Sequence, residues 1–385
     1  MLSRRKFMTA SAVFCGAAAL RPLNAFSVSA EAALGKKPLT FLKDMLSNPS
    51  PSGYEMPVQK IWSNYTKKFA KVHSDTMGNA FGVLNESGSP RLMLAGHCDE
   101  IGFMVKYIDG DGYIYFAAMG GFDQSIIPGR RINIYTKNGP VAGVIGKGPI
   151  HLMGESDRNR GSQIKDLCID IGASSKLDAE SIVALGDPIT YTYEFMELRN
   201  GIAVARGFDD RMGSFIVAET LRELSKSKTL KASVHGVSTV QEEIGLRGAT
   251  TSAYGVDPEV GIAVDVTHAT DYPGMSKKQA GDIKLGGGAV ITRGPNVNHK
   301  VFELLVETAK KHDIKYQIEA IPRGTGTDAR VIQLARAGVA SGLISIPLRY
   351  MHTPVETLDV EDSMNIIKLL ARFAESLKPG MDFSL

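Results

Sequence analysis

Three cysteines in 385 residues, Cys15, Cys98 and Cys168, cannot all pair and match no zinc-finger or disulfide spacing. The fold is therefore not expected to depend on crosslinks. Charge of one sign is also scarce: 44 Lys and Arg against 41 Asp and Glu leave a formal net charge of +3. No dense basic patch interleaved with aromatic residues occurs, so nucleic acid is not an expected partner. Internal repeats and low-complexity tracts are absent as well, which sets solenoid and disordered classes aside. What is there is ordinary globular composition, 43% hydrophobic and 22% charged, over a length that suggests two domains.

Residues 1–30 read as an address rather than as structure. Ser3-Arg4-Arg5-Lys6-Phe7-Met8 supplies a positive end, an Ala/Gly-rich, mildly apolar run follows to Leu20, and Val28-Ser29-Ala30 offers small residues for cleavage. The run is too short to span a bilayer as a helix, so no stable membrane insertion is expected after cleavage. The arginine pair before a weakly hydrophobic segment resembles a twin-arginine (Tat) signal, which implies export to the periplasm or beyond.

From Pro38 onward helix-like and strand-like patterns alternate. Helices are expected over 39–46 and 56–69, where apolar residues recur at three and four spacing, and over 212–224, 300–312, 327–336 and 362–377. Strands are expected over 91–96, 232–240, 260–264, 314–321 and 339–346. This alternation implies an α/β fold with a mostly parallel central sheet covered by helices on both faces. Residues 107–199 differ: they are Gly-rich, short and β-like, with a hairpin turn expected at Asn138-Gly139. The reading is a catalytic domain over 38–106 and 200–385, interrupted by a small inserted β domain at 107–199.

The chemistry-bearing residues fall at strand ends. His97 and Asp99 follow strand 91–96, Asp209 and Asp210 precede a helix, Glu242 and Glu243 follow strand 232–240, Asp265 ends strand 260–264, and His352 lies past the last strand. Open α/β sheets bind ligands beyond the carboxyl ends of their strands, so these distant segments are expected to converge there. Two histidines with several carboxylates suit a pair of divalent ions such as zinc, cobalt or manganese. Each residue has a plainer reading, Asp209 as a helix cap or Glu242-Glu243 as solvated charge. The glutamates, however, stand between an apolar strand and Ile244-Gly245-Leu246, where unpaired charge is costly. Gly286-Gly287-Gly288 lacks a following Lys-Ser/Thr and is no phosphate loop; it is read as letting backbone approach the site. His268 is a candidate pocket residue, and Asp328 a helix cap or a support to the site.

At these residues the chain resembles the M42 peptidases, metal-dependent aminopeptidases of the glutamyl and leucyl kind. The resemblance runs from about Pro38 to Met381. It rests on the segments around His97-Cys98-Asp99-Glu100, Phe208-Asp209-Asp210-Arg211, Gln241-Glu242-Glu243-Ile244-Gly245, Ala263-Val264-Asp265, Gly326-Thr327-Asp328-Ala329 and Tyr350-Met351-His352-Thr353-Pro354. It implies that Asp209 bridges two metals, that His97 and Asp265 complete one site, and that Glu243 and His352 complete the other. Glu242 would be the general base, and Asp99 would hold the His97 imidazole in its tautomer. Short peptides are the implied substrates, and a homo-oligomer, as large as a dodecamer and built partly through the inserted domain, is the implied assembly. Two features depart from the family pattern: the Tat-like leader, and Cys98 in place of Met or another apolar residue. A metal-dependent deacylase or amidase could use the same pair. A glycosidase, with two carboxylates astride a sugar, has no need of it. The complete set of ligands and base argues against a silent binding protein.

Export is testable directly. Lys keeps the charge of Arg and loses its planar guanidinium. The double substitution Arg4→Lys, Arg5→Lys is therefore expected to hold the precursor in the cytoplasm, as read by fractionation and processing. Normal processing of that variant would indicate the general secretory route.

Overall fold

The structure, a computed structural model, describes residues 29–154, 161–192 and 194–385. The expected leader falls almost wholly outside them. No helix among the described residues is long and apolar enough to cross a membrane. The chain begins with helices α1 (Ala30–Leu34), α2 (Lys36–Ser47) and α3 (Met56–Thr66) and strands β1 (Lys71–Ser74), β2 (Ala80–Leu84) and β3 (Arg91–His97). Strands β4 (Gly102–Ile108), β5 (Ile114–Met119), β6 (Arg130–Thr136), β7 (Gly139–Ile145), β8 (Ile169–Asp170) and β9 (Pro188–Tyr191) follow, with α4 (Lys176–Ile182) between the last two. Then come β10 (Met196–Glu197), β11 (Ile202–Ala205), α5 (Phe208–Leu224), β12 (Ser233–Thr239), α6 (Arg247–Val256), β13 (Val260–His268), α7 (Lys277–Ala280) and β14 (Ala289–Arg293). The chain closes with α8 (His299–Lys311), β15 (Tyr316–Ala320), α9 (Ala329–Ile332), β16 (Ala340–Leu348), β17 (Glu356–Asp359) and α10 (Val360–Ser376).

Eight strands form a mixed sheet in the order β1-β2-β12-β3-β13-β16-β14-β15. The four inner strands β12, β3, β13 and β16 are mutually parallel, while β2 and β14 join them antiparallel. Strand β3 shows why this sheet is a centre and not a surface. Leu92, Met93, Leu94 and Ala95 are all fully buried, so both faces of the pleat are covered. Leu92 and Leu94 pack into one cluster with Phe215 of α5 and Leu370 of α10. Met93 and Ala95 point the other way, into a second cluster with Ala249 and Ala253 of α6 and Ile332 of α9. Helix α8 illustrates the outer layer: Asn298 caps it by accepting from the Lys300 and Val301 N–H groups, and Val301, Leu305 and Ala309, four apart, form its buried stripe.

Register does the positioning. Thr239 of β12 pairs with His97 of β3, and Ala263 of β13 pairs with Ala95. Two steps further along parallel strands, Asp265 stands level with His97. Helix α5 is drawn tightly onto this level, because a Cβ on Gly96 would run into the backbone of Gly213 and Ser214. Beneath it lies a buried ion cluster: Glu100 accepts from both Arg206 and Arg211, and both guanidinium groups also reach the Leu46 carbonyl.

Strands β4 to β9 close into a barrel in the order β4-β5-β8-β7-β6-β9. It has its own core, with Phe103, Ile114, Ile132, Ile134, Ile145, Ile169 and Ile189 buried inside. A separate three-stranded sheet has the order β10-β11-β17, joining the two strands that follow the barrel to the strand that follows β16.

Several expectations shift. The hairpin turn falls one residue early, on Lys137-Asn138, because Thr136 pairs with Gly139 and its hydroxyl fastens the loop. Strand β13 continues past Asp265 to His268, since it pairs with β16 as far as His268 with Leu348. The helix expected over 327–336 is only Ala329–Ile332, because the chain turns through Arg336 at φ 51° and Gly338 into β16. Strands β1, β2 and β14 and helix α6 were not anticipated.

The ion cluster gives a stability test. Glu100→Ala leaves two buried guanidinium groups without their counter-ion. Removing one partner of such a buried cluster costs about 3–5 kcal/mol. A correspondingly lower denaturant midpoint is expected, and an unchanged midpoint would remove the cluster from the fold's support.

Candidate metal centre

Five segments meet at the carboxyl edge of the inner strands. His97, Asp209, Glu242 and Asp265 are all buried there, and the Glu243 side chain is 6% exposed. His352 closes the group from the loop after β16, a third exposed. Two donor groups have their ligand atoms within 4.8 Å of one another: His97 with Asp209 and Glu243, and His97 with Glu242 and Asp265. Asp209 presents one oxygen to each imidazole. Its Oδ1 is 3.3 Å from His97 Nε2, and its Oδ2 is 3.2 Å from His352 Nε2. His352 Nε2 also lies 3.5 Å from Glu243 Oε1.

Local folding explains each placement. Asp209 and Asp210 sit at the start of α5 but are not helical in φ and ψ; Gly207 enters the turn left-handed at φ 68°, and the Asp209-Asp210 peptide is cis. Asp210 then accepts from His97 N–H at 3.2 Å and from Gly213 N–H at 2.9 Å, tying the helix to the end of β3. Asp99 accepts from Ser52 Oγ at 2.6 Å and from the backbone N–H groups of Glu242 and Glu243 at 2.9 and 3.2 Å. His97 Nδ1 lies 3.1 Å from the Asp99 carbonyl oxygen and 3.3 Å from its Oδ1, so Nδ1 carries a proton toward Asp99 and Nε2 is turned to the cluster. Glu356 of β17 accepts from Asp209 N–H and from His352 N–H, both at 3.1 Å.

The electrostatics are those of crowded acids. Burial pushes Asp265 up to about 8, with Asp209 adding to the shift and His97 opposing it. Burial likewise pushes Glu242 up to about 10 against the opposing His97, and raises Glu243, where Asp209 adds to the shift. Asp209 is the exception: burial raises it, but hydrogen bonds from His352 and His97 hold it below the ordinary carboxylate range. Burial disfavours charge on His97, yet Glu242, Asp209 and Asp99 outweigh it and raise its pKa. The donor set fits divalent cations on a further count: Glu243 Oε1 is buried without a hydrogen-bond partner. A cation would satisfy that oxygen and let the acids ionise together.

The structure therefore brings His97, Asp209, Glu242, Glu243, Asp265 and His352 into one place, with Asp99 behind them. His268, which is exposed, lines the same pocket, as do half-buried Glu319 and buried Thr267. Asp328 accepts from Thr239 Oγ1 at 2.6 Å and makes no capping bond. The Gly286–Gly288 loop goes elsewhere: its N–H groups donate to Asp362 at the start of α10, where only bare backbone fits against Lys315. Sequence reasoning missed Ser52, Glu356 and Glu319. The sequence carried one weak signal, the place of Glu356 four residues past His352.

A hydrolytic centre of acids and imidazoles at the carboxyl edge of a mixed α/β sheet is the class that fold and site define. The chain belongs to the M42 family: the M42 glutamyl aminopeptidase family model matches residues 78–369. It is 38% identical over 348 residues to the lysyl aminopeptidase of Pyrococcus furiosus, covering 89% of this chain and 98% of that one. Among solved structures it is similar to the TET aminopeptidase of a marine-sediment Thaumarchaeota archaeon, with a TM-score of 0.85, 34% identity, and 89% and 97% of the two chains covered. The TET1 peptidase of Pyrococcus horikoshii, described as assembling into a tetrahedron or a large octahedral shell, gives a TM-score of 0.80 at 32% identity, covering 88% of this chain and all of that one. The protein is thus an aminopeptidase, a hydrolase of peptide bonds at N-termini.

Glu356 is the testable support. Groups that orient ligands typically carry 10–100-fold in metal affinity. Glu356→Ala is expected to weaken divalent-cation binding by about that much, read by calorimetric titration of chelator-stripped protein. Unchanged affinity would show that the two backbone bonds position nothing.

Proposed function

We propose that this chain is a two-metal, exported aminopeptidase acting on short peptides. The carrying observation is the Asp209 carboxylate, whose two oxygens face two different histidines 3.3 and 3.2 Å away. In this reading Asp209 would bridge, His97 and Asp265 would complete one site, and Glu243 and His352 the other. Two divalent ions held there, zinc, cobalt or manganese, would acidify a water and polarise the scissile carbonyl.

The chain's own groups do the rest. Glu242 takes the proton of the attacking water and delivers it to the leaving amine, which requires its ionised form. Burial raises its pKa to about 10, so positive charge beside it is a condition of that role. Asp99 fixes His97 and, through two backbone N–H groups, the pair Glu242-Glu243. Geometry also allows Glu242 to join His97 and Asp265 as a donor, so its role as base rests on the family pattern.

The barrel supports a role in substrate access and assembly. Its loop after β5 reaches the site, where a Cβ on Gly121 would stand 3.4 Å from His352 Nδ1. A homo-oligomer with contacts from the barrel is proposed by analogy with the assembling TET1 peptidase. Export to the periplasm or beyond is proposed from the Arg4-Arg5 leader alone.

The test separates two adjacent glutamates. Glu242→Gln is expected to keep its metals and lose turnover by about 10²–10⁴-fold, the usual cost of a general base. Glu243→Gln should weaken one ion, so excess metal restores it in part and leaves Glu242→Gln unchanged. Chelator should abolish activity in the parent, and N-acetylated peptides should resist it. Cleavage of N-acetylated substrates instead would favour the deacylase reading, and activity unaffected by chelator would overturn the metal centre.

A further inference from the structure

The pocket that holds the donor cluster contains one acid that the proposed mechanism does not use. Glu319, on β15, is half-buried and lines the same pocket as His97, Asp209 and Asp265. Its carboxylate receives only hydroxyl donors, Thr267 Oγ1 at 2.6 Å and Thr292 Oγ1 at 3.4 Å. No Lys, Arg or His among the described residues pairs with it. Arg293, next to Thr292 in sequence, is turned onto the Phe302 ring. The other titratable groups lining the pocket are the donor cluster itself and the exposed His268. A partly desolvated carboxylate held by two neutral hydroxyls lacks the counter-charge that such a group ordinarily takes.

Its distance from the reacting centre is set by the strand. Thr267 lies two residues beyond Asp265 on β13, and alternate residues share a face of a strand. That step is about 7 Å. The Thr267 hydroxyl holds Glu319 at the far end of it. The same pocket is also lined by apolar Leu343, Met351 and Ile321. A group entering the pocket meets the acids of the donor cluster, apolar side chains and a second, separate acid. The free α-amine of a peptide belongs at the first acids, and a long aliphatic stem with a terminal cation matches the remainder.

We propose that Glu319 is the specificity-determining residue of this aminopeptidase and that it selects peptides beginning with Lys or Arg. The inference rests on the aminopeptidase reading of the same site. Thr267 and Thr292 orient the carboxylate, and the substrate's cation supplies its missing partner. An N-terminal Asp or Glu is disfavoured by like charge.

The experiment uses full-length protein reconstituted with metal and the 4-nitroanilides of Lys, Arg, Leu and Glu. For the parent enzyme, kcat/KM for Lys and Arg should exceed that for Leu, with Glu the poorest. Glu319→Gln should lower the Lys-to-Leu ratio about 10- to 100-fold, the scale of losing one partner of a partly buried charge pair, chiefly through KM. Glu319→Lys should turn the preference toward the Glu substrate, a reversal that loss of folding cannot imitate. A parent enzyme that favours Leu over Lys, or variants that leave the ratio unchanged, would overturn the role of Glu319 while leaving the aminopeptidase intact. Failure to cleave any of the four free-amine substrates would overturn both.

Discussion

The structure depends on placing more negative charge than it can neutralise into one buried corner. Asp209, Glu242, Glu243 and Asp265 meet there with two imidazoles, and Asp210 and Glu356 stand just behind. Left to themselves the acids respond as desolvation requires, and Asp265 and Glu242 rise to about 8 and about 10. Only Asp209, gripped by both histidines, keeps its charge readily. Such a corner is tolerable as a place prepared for cations, and the buried Glu243 Oε1, which accepts no hydrogen bond, points the same way.

Holding that corner together against its own repulsion is the task of the sheet. The inner parallel strands set His97, Thr239 and Asp265 at one level, and Gly96 lets α5 close onto it. Because backbone pairing fixes this level, no single side chain has to. The three-stranded sheet acts likewise from the side: pairing of Ala205 with Glu356 sets the Glu356 carboxylate beside the turn that carries Asp209. Further back, Glu100 with Arg206 and Arg211 ties α5 to the segment after β3 and to the end of α2.

What could be read from the sequence divides along physical lines. His97, Asp209, Glu242, Glu243, Asp265 and His352 stood out because polar groups interrupt apolar runs at strand ends, a purely local pattern. Glu356 and Ser52 were invisible because their work is done through backbone N–H groups supplied by distant segments, and register decides those. Glu319 was hidden inside a strand-like run, where alternation reads as an ordinary exposed position; its hydroxyl partners, Thr267 and Thr292, come from two other strands. Strand β13 outlasted its apolar run because Thr267 and His268 pair with the Pro347 and Leu348 of β16. Length there is a property of the pair, and one strand alone does not reveal it.

Asp99 shows how far one such partner reaches. Successive residues of a strand point to opposite sides, so two adjacent glutamates on a strand could not share a cavity. Here the chain leaves β12, passes Gln241 in the left-handed region at φ 55°, and presents both following N–H groups to the same carboxylate. With both amides fixed on Asp99, both side chains are free to enter the site. Glu242 Oε2 comes within 3.8 Å of His97, and Glu243 Oε1 within 3.5 Å of His352. The same carboxylate lies against His97 Nδ1, so the imidazole and the two glutamates are aligned by one group. Ser52, donating to Asp99 from the loop after α2, keeps that group from turning away. Two acids of identical chemistry thus take different partners because a third acid, buried behind them, holds the turn that separates them.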